Sequence, residues 1–322
     1  MNSWLYGADG YYKNFKAIGK AGDFYTAVST SAFFGASIAN HFHKLISDKR
    51  APRDAWLIEI GAHQGYLLCD MIQWLYSIDP DLIKSLRFAI VERQDEVRKV
   101  QQEYIQNRFG DDIEVKYFDD ISSVLAEYAF VIANEIFDAF PCELIKDGEI
   151  AKVVDHQIEW IDLPQELADF SAKHRQVKGE IAVGYNQFAI DMADGIKEVD
   201  FVSFDYGEKY VRNDFSVRIY RGHETLPLFD EELILSEAYQ KADITYDVNF
   251  AHVIDAFEDA GFETIDYETQ ARALIRFGLI DILEQYAKST TQEKYLREAD
   301  KIKTLISPTI MGDRFKMVHF RK

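Results

Sequence analysis

A glycine-containing loop is the feature of the sequence that most directly suggests chemistry. It reads EIGAHQG from Glu59 to Gly65, between a short apolar run and an amphipathic segment. Gly61 lets the chain turn sharply where a strand ends, and Gly65 lets a helix begin close to a ligand. A nucleotide-type ligand would then lie over the N-terminus of that helix. The same glycines also suit a plain tight connection, so the loop needs support from other residues.

Acidic residues after the next two predicted strands support a nucleotide site. Glu92 ends the second strand, where a carboxylate can accept both hydroxyls of a ribose, although a solvated strand terminus would have the same sequence. Asp119 and Asp120 follow the third strand. They would either face an adenine amino group or form a solvated acidic turn.

The spacing of the glycines distinguishes between nucleotides. A dinucleotide needs glycine where the backbone approaches the pyrophosphate, and His63 occupies that position. S-adenosylmethionine (SAM) has no pyrophosphate. A loop that opens with Glu59-x-Gly61, closes with Gly65 and is followed by an acid at the next strand end is typical of class I methyltransferases. The pattern therefore favours SAM and disfavours a nicotinamide-dependent oxidoreductase.

Sequence blocks along nearly the whole chain resemble the MidA family of class I SAM-dependent methyltransferases, which includes a mitochondrial protein arginine methyltransferase acting in complex I assembly. The matching blocks are GYY (10–12), GDFYT (22–26), Phe34-Gly35, the loop 59–65, NEIFDAFP (134–141), DYG (205–207), Asp243-x-Thr245 with Phe250, and Met311-Gly312-x-x-Phe315-Lys316. The resemblance implies SAM as the cofactor and an arginine of a partner protein as the acceptor. A respiratory-complex subunit is one such partner.

The resemblance also implies roles for residues of the NEIFDAFP block. It places Asn134 and Glu135 at the end of the fourth strand, beside the transferred methyl group, with Asp138 one turn further on. Asn134 would hold the SAM amino group or the acceptor nitrogen. The two carboxylates would pair with a guanidinium and take its proton. Helix capping is the alternative interpretation of these three residues.

A segment near the N-terminus is expected, by resemblance, to form a lid over the cofactor, with Gly22, Asp23 and Thr26 as cofactor-binding residues. Two departures from the family lie here and in the loop. The family continues with Pro-Glu-Ile-Ser, whereas this chain has the residues 28–31, Val-Ser-Thr-Ser, and loses a carboxylate. The family loop resembles GPGRG, so His63 and Gln64 replace a glycine and an arginine. Both departures fit either a retuned enzyme or a catalytically weak or inactive assembly or interaction factor of the same fold.

The elements that would position these residues alternate between strands and helices. Apolar runs predict strands at 56–61, 87–92, 113–118, 129–134 and 199–207, and an amphipathic helix follows the first of them at 66–76. Such alternation predicts an α/β fold, a Rossmann-like and mostly parallel sheet covered on both faces. Asp147-Gly148 predicts a hairpin turn within a β insertion.

The chain divides into six predicted parts. Helical periodicity between Tyr267 and Ile306 indicates a helical subdomain of two helices, the second beginning near Thr291. The parts are an N-terminal helical or lid segment (1–50), a SAM-binding core (51–141), an antiparallel β insertion (142–180), the rest of the core (181–266), the helical subdomain (267–306) and a closing strand (307–322).

Composition narrows the range of partners. The chain of 322 residues has 36 Lys+Arg against 55 Asp+Glu, a net charge of −19. Such a surface repels phosphate backbones, so no nucleic-acid partner is expected, whereas a cationic ligand or basic peptide would be attracted. Two cysteines are too few for a disulfide framework, and the spacing of His41 and His43 does not suit a metal site. We expect no membrane insertion and a cytoplasmic protein; a homodimer is left open.

Overall fold

The computed structural model describes residues 1–7, 9–11, 26–221 and 224–322. The strands are β1 (Trp56–Ile60), β2 (Arg87–Val91), β3 (Val115–Phe118), β4 (Ala126–Asn134), β5 (Cys142–Lys146), β6 (Glu149–Val154), β7 (Gln157–Asp162), β8 (Lys178–Ala182), β9 (Ile196–Glu208), β10 (Arg218–Arg221), β11 (Glu224–Pro227), β12 (Asp243–Thr245), β13 (Val248–Asn249), β14 (Glu263–Thr269) and β15 (Phe315–Arg321). The helices are α1 (Asn2–Leu5), α2 (Ala27–Thr30), α3 (Phe33–Ser47), α4 (Tyr66–Ile78), α5 (Pro80–Ile83), α6 (Asp95–Phe109), α7 (Gln165–His174), α8 (Tyr185–Gly195), α9 (Leu235–Ala238), α10 (Phe250–Asp259), α11 (Gln270–Arg276), α12 (Leu279–Ser289) and α13 (Gln292–Ile306).

The central sheet has the strand order β14-β15-β9-β4-β1-β2-β3, and β13 pairs with the end of β9. The pairs from β9 to β3 are parallel, and β15 and β14 join antiparallel. The predicted α/β class with a mostly parallel sheet is therefore confirmed. The five predicted strands of this sheet end or begin within three residues of the observed ones.

The strands of this sheet are apolar on both faces because helices cover both. Leu57 of β1 belongs to the core formed with α3 and α4, whereas its neighbour Ile58 belongs to the core formed with α8 and α10. Successive side chains of a strand point to opposite faces, so a doubly covered strand needs an almost continuous apolar run. Polar residues consequently concentrate where these strands end.

Two small antiparallel sheets accompany the central one. The first has the order β7-β6-β5-β8 and contains the predicted turn, in which Asp147 and Gly148 both have positive φ (53° and 86°). The second has the order β11-β10-β12 and was not predicted, since sequence analysis assigned its residues to the core. Trp4 of α1 donates a hydrogen bond to the Ala242 carbonyl beside it, at 2.7 Å. The N-terminal residues are thereby held against the second small sheet.

The prediction of two helices between Tyr267 and Ile306 is wrong in number, whereas the predicted start near Thr291 is confirmed by α13, whose N-cap is Thr291. Strand β14 continues to Thr269, and three helices follow it. The first break is at Gly278, which has a φ of +94° and would place a Cβ 2.6 Å from Asn40 Nδ2. Asn40 is held there because it donates to the Phe277 carbonyl at 2.8 Å. Helical periodicity extends across the break, so the pattern alone concealed it.

Among the described residues, no helix combines the length and the apolar character that crossing a membrane requires.

Candidate active site

A cleft of about 1070 Å³ opens at the carboxyl ends of the parallel strands. We divide it into two lobes. The glycine-loop lobe is lined by residues 59–64, 91–94 and 119–121, which follow β1, β2 and β3. The carboxylate lobe is lined by residues 134–136, 138–141, Tyr206, Tyr220, Asp243, Thr245 and Arg314. Clefts at this edge of an open α/β sheet are the usual ligand sites of such folds.

The glycine loop has a left-handed backbone at three of its residues. The φ angles are +68° at Gly61, +45° at His63 and +80° at Gly65, which precedes the first residue of α4. A Cβ on Gly61 would lie 3.2 Å from Cγ2 of Ile136 in the other lobe. His63 keeps the left-handed conformation that the family's glycine would adopt freely, and Gln101 Nε2 donates to its carbonyl at 3.0 Å. The substitution is therefore compatible with the turn.

Glu59 holds the glycine loop in place through a hydrogen bond to α4. Only 3% of the residue is exposed, and its Oε2 accepts a hydrogen bond from the Leu68 N–H in the first turn of α4, at 2.9 Å. Burial raises the pKa of this carboxyl to about 8. The side chain thus joins the end of β1 to the N-terminus of α4, while it also lines the cleft.

The predicted ribose and adenine acids lie on the same lobe. Glu92 is half-buried, and its Oε1 accepts from the Gln94 N–H at 2.9 Å; burial raises its pKa. Asp119 is exposed and forms an ion pair with Arg98. Asp120 accepts from the Ser122 N–H at 3.1 Å, a local turn contact. Tertiary structure therefore brings the three acids to one lobe, and each of them already has a structural partner.

In the carboxylate lobe, β4 ends at Asn134 as predicted, and Glu135 then has a φ of +55°. A left-handed backbone at a residue with a Cβ costs about 1–2 kcal/mol. Asn134 Nδ2 donates to Glu135 Oε1 at 2.8 Å. Its Oδ1 is buried and has no hydrogen-bond partner within the described ranges. A buried acceptor of this kind suits an ammonium group such as that of SAM.

Helix capping does not explain these residues. A short 3₁₀ turn, Phe137–Ala139, follows Glu135 in place of an α-helix. Its first amides donate to Asp205, at 2.9 Å from Phe137 and 3.3 Å from Asp138. The interpretation of Asn134 as an N-cap is therefore wrong, and Asp205 is the residue that holds the turn.

Asp138 belongs to a buried hydrogen-bond network that sequence analysis missed. The Tyr206 hydroxyl donates to Asp138 Oδ2 at 2.7 Å and lies 2.6 Å from Thr245 Oγ1. Tyr206 follows Asp205 at the end of β9, and Thr245 ends β12 of the second small sheet. Both stand in blocks that the family resemblance had singled out, but the resemblance had assigned them no role.

Burial determines the electrostatics of the carboxylate lobe. It raises the pKa of Glu135 to about 8, with a smaller contribution from the charge of Asp138. Burial raises the pKa of Asp138 to about 7, and Asp243 adds to the increase. The largest influences on these two pKa values include no lysine or arginine of the described chain. A cationic ligand would favour the ionised form of both.

The lid residues Gly22 and Asp23 lie outside the described residues. Thr26 is described and is the N-cap residue of α2, where its Oγ1 accepts from the Ser29 N–H at 3.2 Å. Ser29 Oγ in turn accepts from the Thr26 N–H at 3.0 Å. The hydroxyl of Ser29 thus forms the reciprocal half of a capping box, a position where glutamate is common. Both residues line the cleft.

The two histidines of α3, His41 and His43, contact other side chains of the fold. The ring of His41 stacks on Phe277 with centroids 4.1 Å apart, and burial lowers its pKa to about 2. His43 lies 3.7 Å from Asp79. Across the described ranges, no group of three or more potential ligands is arranged to hold a metal ion.

Sheet order, glycine loop and strand-end acids together define a class I methyltransferase fold. Residues 37–268 match the family described as "Putative S-adenosyl-L-methionine-dependent methyltransferase", and the chain belongs to that family. The predicted membership in a SAM-dependent methyltransferase family is thereby confirmed. The protein is a methyltransferase, and SAM is its cofactor.

Individual relatives agree with this assignment. The chain is 23% identical to "Protein arginine methyltransferase NDUFAF7, mitochondrial" from Bos taurus, over 97% of this chain and 76% of that protein. It is 25% identical to the Xenopus laevis protein of the same name, over 95% and 76%. A crystal structure from Burkholderia thailandensis, bound to S-adenosyl-homocysteine, is 23% identical and superposes with a TM-score of 0.82, covering 100% of this chain and 86% of that one. That structure shares the fold.

Proposed function

We propose that this methyltransferase modifies an arginine of a partner protein. The observation that supports the proposal is the pair of carboxylates in the carboxylate lobe, the half-buried Glu135 and the buried Asp138. Neither forms an ion pair with a lysine or arginine in the described part of the chain. Enclosed carboxylates without a counter-ion are unfavourable unless a ligand supplies the charge. The names of the mammalian and amphibian relatives also support an arginine acceptor.

A guanidinium fits this pair because it is planar and presents several N–H donors in a fixed geometry. Two carboxylates can orient it through charge-assisted hydrogen bonds, so that one nitrogen faces the glycine loop. Bound SAM supplies an electrophilic methyl group on sulfur. As the new N–C bond forms and the C–S bond breaks, the acceptor nitrogen loses a proton, and S-adenosylhomocysteine remains.

Asp138 is the better candidate for the proton acceptor. Its raised pKa of about 7 matches the neutral pH at which a general base is most effective. The Tyr206 hydroxyl donates to the carboxylate and holds its orientation. Glu135 is fixed by Asn134 and by the backbone N–H of Ala27, so its part is to position the guanidinium.

The cofactor contacts proposed from the sequence are Gly22, Asp23, Thr26, Glu59, Gly61, Gly65, Glu92, Asp119, Asp120 and Asn134. The geometry supports two kinds of contribution from them. Gly61 and Gly65 bring the backbone close to the ligand, and Glu92 and the unpartnered Oδ1 of Asn134 offer acceptors. The other described members hold the loop, cap α2 or line the rim.

Methyl-label transfer tests the proposal. Labelled SAM is incubated with the protein and with arginine-containing peptides or a cell lysate, and the modified residue is identified by mass spectrometry. Label on arginine supports the proposal; label on another residue type overturns it. Glu135→Gln is the matched variant, because it keeps the shape and the Asn134 contact but removes the charge, and it should bind SAM normally while transferring slowly.

The alternative of an inactive assembly factor makes a different prediction. It requires SAM binding without label in any acceptor, together with stable capture of a partner by the unliganded protein. A respiratory-complex subunit as partner, a cytoplasmic location and a homodimer stay predictions.

A further inference from the structure

A second groove adjoins the carboxylate lobe, and we infer, on the basis of the arginine methylation proposed above, that it binds an acidic residue of the substrate close to the acceptor arginine. This arginine groove has a volume of about 530 Å³ and is lined by Arg212, Arg218 and Arg314, among others. It shares Tyr206 and Arg314 with the cleft. A peptide bound in the carboxylate lobe can therefore continue into it.

Two of these arginines share one acid. Asp247 forms an ion pair with Arg212 through one oxygen and lies 3.0 Å from Arg218 Nη2 through the other. Arg218 Nη1 is buried and has no hydrogen-bond partner among residues 26–221 and 224–322. Two guanidinium groups against one carboxylate leave positive charge and unused donors at this end of the groove.

The third arginine stands at the boundary with the cleft. Arg314 is exposed, and its Cζ lies 5.7 Å from the centre of the Tyr206 ring. Among the residues that the structure describes, Arg314 forms no ion pair. The other acid of the groove, Glu208, is paired with Lys316 at 2.9 Å. The groove is therefore locally positive in a chain of net charge −19, and such a place attracts an acidic side chain.

Tyr206 sets the distance between the two sites. Its hydroxyl donates a hydrogen bond to Asp138, where the acceptor guanidinium would bind, and its ring lies next to Arg314. The sites are thus separated by about the length of one tyrosine side chain. An extended peptide advances about 3.3–3.6 Å per residue, so the acidic residue should lie about two positions from the arginine.

Matched peptides test this. Three peptides have the same acceptor arginine and carry Glu, Gln or Lys at these neighbouring positions, and kcat/KM is measured for each. Exposed ion pairs are worth up to about 1 kcal/mol, so the Glu peptide should be preferred to the Gln peptide by about fivefold. Arg314→Glu should abolish or invert that preference. Arg87→Glu, the same charge reversal at the amino end of β2, should leave the preference unchanged.

Several outcomes would overturn the inference. Equal kcat/KM for the Glu and Gln peptides would do so, as would an equal change of their ratio in Arg87→Glu, which would indicate a general field effect. A changed KM for SAM in Arg314→Glu with an unchanged ratio would assign Arg314 to the cofactor. If no arginine peptide is methylated, the proposed function fails. In that case the affinities of fluorescently labelled Glu and Gln peptides still test whether the arginine groove prefers an acidic residue. Equal affinities would show that it does not.

Discussion

The two lobes of the cleft differ in how the chain builds them. The glycine-loop lobe is formed by residues that directly follow the three parallel strands β1, β2 and β3. Many of its polar groups are backbone atoms or carboxylates that bond to residues nearby in the chain. The carboxylate lobe brings together β4, β9, the second small sheet and the approach to β15. The lobe proposed to bind the cofactor is thus encoded by a local motif. The lobe proposed to select the acceptor depends on distant parts of the chain.

The lobes also differ in electrostatics. Asp119 is exposed and paired with Arg98, whereas Asp138 is buried, Glu135 is half-buried, and both have raised pKa values. The exposed Asp119 is screened by water and by its partner, although burial also raises the pKa values of Glu59 and Glu92 in the same lobe. Charges in the carboxylate lobe are costly until a ligand neutralises them. Perturbations of the two lobes should therefore separate cofactor binding from methyl transfer.

The largest expected effect is that of Asp138→Asn. Removal of a general base typically slows a reaction by about 10²–10⁴-fold, so kcat/KM for an arginine peptide should fall in this range. The affinity for SAM should stay within about threefold, since asparagine keeps the shape and an oxygen for Tyr206. Single-turnover kinetics and calorimetry measure the two quantities. Unchanged kinetics would remove Asp138 from the reaction.

Glu92→Gln should have the opposite pattern of effects: it should weaken SAM binding and leave the rate of methyl transfer nearly unchanged. Hydrogen bonds to a charged acceptor contribute about 1.5–3 kcal/mol, so SAM affinity should fall by about 10- to 100-fold. The rate at saturating SAM should change little, because the carboxylate lobe is intact. Calorimetric titration with SAM checks the first expectation. An unaltered dissociation constant would exclude the ribose role of Glu92.

The pH dependence of peptide binding should also distinguish the carboxylate lobe from the glycine-loop lobe. The pKa values of Glu135 and Asp138, about 8 and about 7, are raised in the free protein, and a bound guanidinium favours their ionised forms. Peptide binding should therefore release protons and tighten as the pH rises through this window, by up to about tenfold per pH unit for each proton released. Glu135→Gln should weaken the dependence. Affinity that is constant with pH would contradict the assignment.

Glu59 gives a smaller effect, on stability. Its folded-state pKa of about 8 exceeds the ordinary value of 4.5, so the folded state binds more protons than the unfolded state between these values. The free energy of unfolding should fall as the pH rises through this window. Glu59→Gln should lessen that fall and shift Tm at alkaline pH upward by about a few degrees. Thermal unfolding at several pH values tests this, and parallel profiles would refute it.

The smallest effect is expected for Asp119→Asn. The side chain is exposed and its partner Arg98 also contacts the Glu92 carbonyl, so SAM affinity should change by less than about threefold. A loss as large as that of Glu92→Gln would show that Asp119 binds the adenine directly.

Several features could be predicted from the sequence because they depend on local patterns. The doubly apolar strands, the Asp147-Gly148 turn and the loop between Glu59 and Gly65 are each specified by neighbouring residues. The second small sheet was missed because its strands are short, and β14 was mistaken for the start of a helix. The break at Gly278 escaped notice because a helical period continues on both sides of it.

The candidate site shows the same difference between features set by local sequence and features set by long-range contacts. The fold class, the glycine loop and the positions of the strand-end acids follow from local sequence patterns, since periodicity and turn residues act over a few neighbours. The tertiary structure was needed to bring Tyr206 and Thr245 to Asp138, to place Arg314 at the border of the cleft and to hold the turn through Asp205. It also decided which acids have raised pKa values. A few of the acidic residues that the structure describes are buried, and burial depends on neighbours that are distant in the chain.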